Sequence, residues 1–146
     1  MPTKMCYSIM SHEGNHDAHE FHIALNNDPA QHHAVFMAAF NTGDVRAVEQ
    51  VYDDLGVLVP RPGCPVTGPD RIAATQHLLG LGLPIDARPR HVYVADDIAL
   101  LIIDWSIRGS ARDGTDIHIE GTAADVARRH QDGFWRYIID NPFGTA

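Results

Sequence analysis

The chain has 146 residues, 45% apolar and 21% charged, which fits one ordinary soluble domain with a core of its own. A formal net charge of −8, from 19 acidic against 11 basic side chains, excludes the clustered cations that nucleic-acid phosphates require. No apolar run approaches the ~18 residues of a membrane span and no leader pattern opens the chain, so the expected setting is cytoplasmic, with neither membrane nor nucleic acid as a partner.

Residues 1–26 are poorly patterned and hold His12, His16, His19 and His22. Imidazoles at such spacing can bind transition metals, but no cysteine or carboxylate completes a recognised signature, so the segment is expected as a flexible arm and no metal site is assigned. A single domain over 27–146 follows. Asp28-Pro29 supplies an N-cap and a first helical position, and a helix is predicted from there to about Asn41. Gly43 can end it and Asp44 can cap the next. Val45, Val48, Val51, Tyr52 and Leu55 predict a second helix to about Leu55. A short strand over Val57 to Pro60 and a Pro/Gly-rich loop come next. In that loop Cys64 reads as a bystander thiol, because two cysteines (Cys6 and Cys64) make no framework and a reducing compartment is the default. Pro69-Asp70 opens a third helix that stops at Gly80-Leu-Gly82.

From Ile85 the pattern turns to strands. His91 to Ala95 alternates, Asp96-Asp97 makes a tight turn, and Ile98 to Ile107 is nearly continuous apolar strand. Asp113-Gly114 marks a hairpin into a strand over Thr115 to His130, and Gln131-Asp-Gly133 turns into a last strand from Phe134 to Asn141. Helices before an antiparallel meander, without crossover helices, make the class α+β. Ile98 to Ile103 is apolar on both faces, so both faces are expected to be covered, one by the helices and the other by a second copy in a homodimer.

The order of elements, Phe40-Asn-Thr-Gly-Asp44 before Tyr52-Asp-Asp54, Pro65-Val-Thr-Gly-Pro-Asp70 and Asp132-Gly-Phe-Trp-Arg-Tyr-Ile-Ile-Asp-Asn-Pro142 together resemble the nuclear transport factor 2-like superfamily, its SnoaL-like branch, and within that the SgcJ/EcaC group. The resemblance covers about Asp28 to Gly144. It implies three helices packed in a strongly curved antiparallel or mixed sheet, a cone with an internal apolar cavity. Relatives include ketosteroid isomerase, polyketide cyclases and dehydratases, and others that only bind ligands or hold assemblies together. The SgcJ/EcaC group implies polyketide or enediyne biosynthesis. Placed on this sequence, the oxyanion-hole tyrosine of ketosteroid isomerase falls at Phe36 and its general base at Pro60, neither of which can serve. Its protonated carboxyl falls at or near Asp125.

Asp125 lies on a strand face with Ile117, Ile119, Gly121, Ala123 and Ala127. A carboxyl among such small apolar neighbours would be desolvated and its proton held more tightly, which suits a general acid or base. The structural alternative is a carboxylate bonded to Arg128, a neighbouring strand or the first helix. Trp105 has the parity of a cavity aromatic, and Phe36, Phe40 and Tyr52 are further candidates for the ligand wall, with plain core as the alternative for each. On the last strand Tyr137 and Asn141 are the candidates. Strand parity puts Trp135, Tyr137 and Ile139 on one face and Asp140 on the other, and leaves open which is inner. His77, His91, His118 and His130 are single histidines, with surface or core as the ordinary reading. No nucleophile triad, phosphate loop or nucleotide fingerprint is present, so no cofactor is assigned. The expected function is binding or cofactor-free acid–base conversion of a hydrophobic small molecule, with a non-catalytic carrier or assembly domain as the alternative.

Overall fold

The computed structural model describes residues 23–146. A short 3-10 turn, Pro29–Gln31, leads into α1 (His32–Asn41), followed by α2 (Val45–Glu49), β1 (Tyr52–Leu58), α3 (Gly68–Leu79), β2 (Ile85–Ala95), β3 (Ile98–Ser110), β4 (Asp116–Arg129) and β5 (Trp135–Asp140). The strands form one mixed sheet in the order β1-β5-β4-β3-β2. The last four strands pair antiparallel, and β1 adds parallel to β5.

The start and stop signals act as the sequence suggests. The Asp28 carboxylate accepts from the Ala30 N–H at 3.0 Å. Gly43 takes a positive φ of 76°, and Asp44 caps α2 by accepting from the Arg46 N–H at 2.8 Å. The core lies between the helices and one face of the sheet, with Val35, Ala39, Phe40, Val48 and Val51 packed among Ala99, Leu101, Ile103 and Ala127.

Two expectations fail. The second helix ends at Glu49, and the strand begins at Tyr52 rather than Val57. Val48, Val51 and Tyr52 are buried at helical spacing, but Leu55, which should complete the stripe, is 84% exposed. Pairing of Tyr52 with Tyr137 of β5 outweighs the weak propensity of a one-turn extension. The strand then shifts register between Tyr52 and Val57, where the Asp53 carboxylate accepts from the Leu55 N–H at 2.8 Å. Gly56 fits this irregular turn because a Cβ there would stand 2.9 Å from the carbonyl oxygens of Asp53 and Tyr137.

Within the single chain only one face of β3 is covered: Ala99, Leu101 and Ile103 are buried, whereas Ile98 and Leu100 are exposed. The registers align Tyr93, Leu100, Val126, Ile139 and Val57 in one apolar row across all five strands of the outer face. The other expectation that fails is Cys64, which is no bystander thiol but is disulfide-bonded. The histidines expected as a mobile arm, His12, His16, His19 and His22, lie outside the described residues. Among the described residues no helix is long and apolar enough to cross a membrane, and no group of three metal-ligating side chains converges.

Candidate functional site

Between the helices and the covered face of the sheet lies a pocket of about 270 Å³. Its wall is mostly apolar. Phe36 and Phe40 reach it from α1, Leu78 from α3, and Ile103 and Trp105 from β3. Trp105 is held in place by its indole N–H, which donates to the Pro142 carbonyl at 2.7 Å, and by an edge contact with Phe143. Phe36 and Pro60 both line the pocket, so the two positions at which ketosteroid isomerase would carry a donor and a base contribute neither.

The polar part of the wall is concentrated on β4, β5 and β1. Asp125 and Asp140, 4% and 7% exposed, face the pocket with their carboxyls in hydrogen-bonding reach of each other. The backbone N–H of Asn141 donates to Asp125 at 2.8 Å. The Tyr52 hydroxyl donates to Asp140 in a short hydrogen bond. Two like charges this close in an apolar setting cannot both be ionised cheaply. Burial, and then the neighbouring Asp140, push the Asp125 carboxyl well above the usual carboxylate range, against the Asn141 N–H. Asp140 is also raised by burial, but the bonds from Tyr52 and Asp125 and the positive charge of Arg71 work the other way. The bond from Tyr52 and the charge of Arg71 favour the ionised form at Asp140, which leaves Asp125 the readier of the pair to hold a proton. Of the structural alternatives expected for Asp125, bonding to Arg128 does not occur; its partners lie at the end of the neighbouring strand.

Arg71 supports this group from behind. It is 3% exposed; Nη1 donates to the carbonyls of Gly56 and Asp53 at 2.8 and 3.0 Å, and Nη2 to Glu49 at 2.7 Å. Its guanidinium lies 4.6 Å from the centre of the Tyr52 ring, which orients the hydroxyl that reaches Asp140. Two histidines of α1 are buried as well. His32 donates from Nε2 to the Val51 carbonyl at 3.2 Å and is driven by burial down to about 4. His33 lines the pocket and is likewise lowered by burial. His77 also lines it, from α3.

Asn141 does not line the pocket. It follows the last residue of β5, and its side chain turns away to donate to the Gly144 carbonyl at 2.8 Å; its contribution is the backbone N–H on Asp125. Asp140, which simple parity sets opposite Tyr137, shares the inner face with it. The reason is a bulge: Ala127 pairs with Tyr137 but Val126 with Ile139, leaving Ile138 unpaired and reversing the alternation beyond it. The sequence offers one signal for this residue, an acid at the end of an apolar strand. Arg71 carries no signal of its own, since its partners are two backbone carbonyls of β1 and Glu49 at the end of α2, brought together only by the fold.

The model of the SnoaL-like domain matches residues 34–138. The chain belongs to the SnoaL-like domain family. Three solved structures illustrate its fold. An NTF2-like protein from Rhodospirillum rubrum is 22% identical, with 82% of this chain and 99% of that one aligned at a TM-score of 0.64. A nuclear transport factor 2 (NTF2-like) superfamily protein from Salmonella enterica is 15% identical over 80% and 90%, at 0.62. A ketosteroid isomerase-like protein from Erwinia carotovora atroseptica is 19% identical over 76% and 89%, at 0.61. No curated protein matches the chain. This SnoaL-like chain thus has the mixed five-stranded sheet and the few helices of NTF2-like proteins, with a polar group of its own in the pocket.

Proposed function

We propose that the protein takes a hydrophobic small molecule into this pocket and transfers a proton to or from it without a cofactor, as in a cyclase, isomerase or dehydratase. The observation that carries the reading is the Asp125–Asp140 pair, two buried carboxyls in contact within an apolar wall. Asp125 is the proton-transfer group. Its raised affinity for a proton brings a carboxyl toward neutral working pH, where a general acid is most effective. Asp140, steadied by Tyr52 and Arg71, holds the remaining charge. Trp105, Phe36 and Phe40 supply the apolar contact. The resemblance to the SgcJ/EcaC group favours a polyketide- or enediyne-type intermediate, and a volume of about 270 Å³, small for a ligand site, favours a compact one or one end of a larger one.

A second reading has an observation of its own. Phe36 and Pro60 remove the two groups that do the chemistry in ketosteroid isomerase, which fits a non-catalytic carrier or accessory protein. Infrared spectroscopy tests the shared proton: a protonated-carboxyl C=O band at neutral pH that Asp125→Asn removes supports the catalytic reading, and its absence in the unaltered protein refutes it. Native mass spectrometry of fresh protein, followed by denaturation, tests the ligand. An apolar compound released on unfolding supports either reading of the pocket. Binding that survives Asp125→Asn while turnover is lost marks an enzyme.

The same spectrum tests a further part of the proposal, that the protein is a homodimer. The outer-face row from Tyr93 to Val57 is the kind of exposed apolar strip that a second copy covers. A monomer at micromolar concentration would refute it. A cytoplasmic setting is the other part of this reading; the Cys64 disulfide speaks against it, and fractionation of cells tests it.

A further inference from the structure

We infer that the Tyr137 hydroxyl is the ligand's anchor, donating a hydrogen bond to one uncharged oxygen, a carbonyl or an ether, on an otherwise apolar molecule. This deepens the pocket reading above and rests on it. Tyr137 is 3% exposed and lines the pocket. Its hydroxyl makes no hydrogen bond among the described residues, and it is not sealed among atoms that shut out every partner. The contrast with Tyr52 is instructive, because that hydroxyl is spent on Asp140. A hydroxyl that opens on the pocket without a protein partner is free to donate, and a ligand oxygen in the pocket would supply the acceptor.

The ring is fixed from several sides, so its hydroxyl is aimed before the ligand arrives. The Tyr137 backbone N–H donates to the Val51 carbonyl at 2.9 Å, and His32 donates to the same oxygen. The His32 ring meets the Tyr137 ring edge-on at 4.3 Å and 74°, and Phe36 meets it at 5.9 Å and 68°. Such a group is a specificity device, since little ordering is lost when it binds.

The surroundings set the charge of the ligand. Burial, and then the neighbouring Asp125 and Asp140, hold the Tyr137 phenol well above its ordinary value, so it stays protonated and able to donate. No lysine or arginine is among the pocket-lining residues. The Nη atoms of Arg71 are occupied by Gly56, Asp53 and Glu49, and burial disfavours the charged form of His33. An anionic ligand would meet a buried carboxyl pair with no cation to offset it. A cation would have to leave water for a wall that is mostly apolar.

Calorimetric titration of the full chain with four compounds of one size tests this: tetralin, 1-tetralone, tetralin-1-carboxylate and 1-aminotetralin. Tetralin and tetralone are expected to bind. Tyr137→Phe is expected to weaken tetralone about five- to tenfold, as loss of one hydrogen bond does, and to leave tetralin unchanged. Tetralone affinity that is indifferent to the substitution overturns the inference, and so does tighter binding of the carboxylate or the amine. A second measurement needs no variant: the C=O stretch of tetralone bound to the unaltered protein should fall below its value in hexane, and an unshifted band overturns the assignment. Failure of tetralin and tetralone alike to bind would instead remove the pocket reading on which this one stands.

Discussion

Asp125→Asn separates a shared proton from an ordinary carboxylate through its effect on stability with pH. The asparagine reproduces the protonated carboxyl: its amide can donate to Asp140 and its oxygen can accept the Asn141 N–H, now 2.8 Å from Asp125. What it lacks is the titration. In the unfolded chain Asp125 ionises near the ordinary value of ~3.9, while in the folded state burial and Asp140 hold its proton to much higher pH. The folded state therefore binds more protons than the unfolded one above about pH 5. This contribution to stability is complete below the unfolded value and is lost as pH rises toward the folded one. Each pH unit in that window costs about 1.4 kcal/mol, so at most roughly 3 kcal/mol is lost from pH 5 to 7, the full amount only if the folded group stays protonated throughout. Titrations elsewhere are shared by both proteins and cancel in the difference, while Asp140, coupled to Asp125, is counted with it as one pair. Urea unfolding followed by the fluorescence of buried Trp135 at half-unit pH steps gives the two curves. The expected result is that the variant gains on the unaltered protein steadily as pH rises. Parallel curves would refute the argument, because they would mean that Asp125 is ionised in the folded state at these pH values.

Other expectations follow from the same network. His32, buried and lowered from 6.5 to about 4, binds its proton more readily in the unfolded chain, so its contribution to stability is present above pH 6.5 and is lost as pH falls toward 4. That is about 3 kcal/mol at most; NMR should show its ring neutral at pH 5.5, and a midpoint near 6.5 would contradict the burial. Arg71→Ala leaves two backbone carbonyls and Glu49 without their partner and should cost about 3 kcal/mol in urea unfolding, with a loss under about 1 kcal/mol counting against its structural role. Gly56→Ala would place a Cβ 2.9 Å from the carbonyl oxygens of Asp53 and Tyr137 and should lower stability by about 1–3 kcal/mol, again read in urea.

Much of the architecture was legible before the structure because it rests on local chemistry. Caps at Asp28 and Asp44, the glycine stop at Gly43 and the turn at Asp113-Gly114 act within a few residues. The long apolar β3 and the small-residue face of β4 report burial by period alone. The same logic placed Asp125 and Trp105 on a common strand-face parity, and both line the pocket. Helix two was overextended because Val48, Val51 and Tyr52 fit a helical stripe and a helix-to-strand corner equally well. The choice between them was made by β5, whose Tyr137 pairs with Tyr52 from 85 residues further along the chain.

The sequence by itself determined the class, the order of elements and the face on which a carboxyl would be buried, since each follows from periodicity and from short-range backbone chemistry. Tertiary structure alone decided the site. A single unpaired residue, Ile138, turns Asp140 inward beside Asp125. The parallel pairing of β1 with β5 brings Tyr52 to Asp140, and α3 lays Arg71 over Tyr52. These meetings join residues up to 88 positions apart. They depend on bulges and register, which leave no period in the chain, and on a shared proton, whose energy exists only once two carboxyls have been brought together out of water.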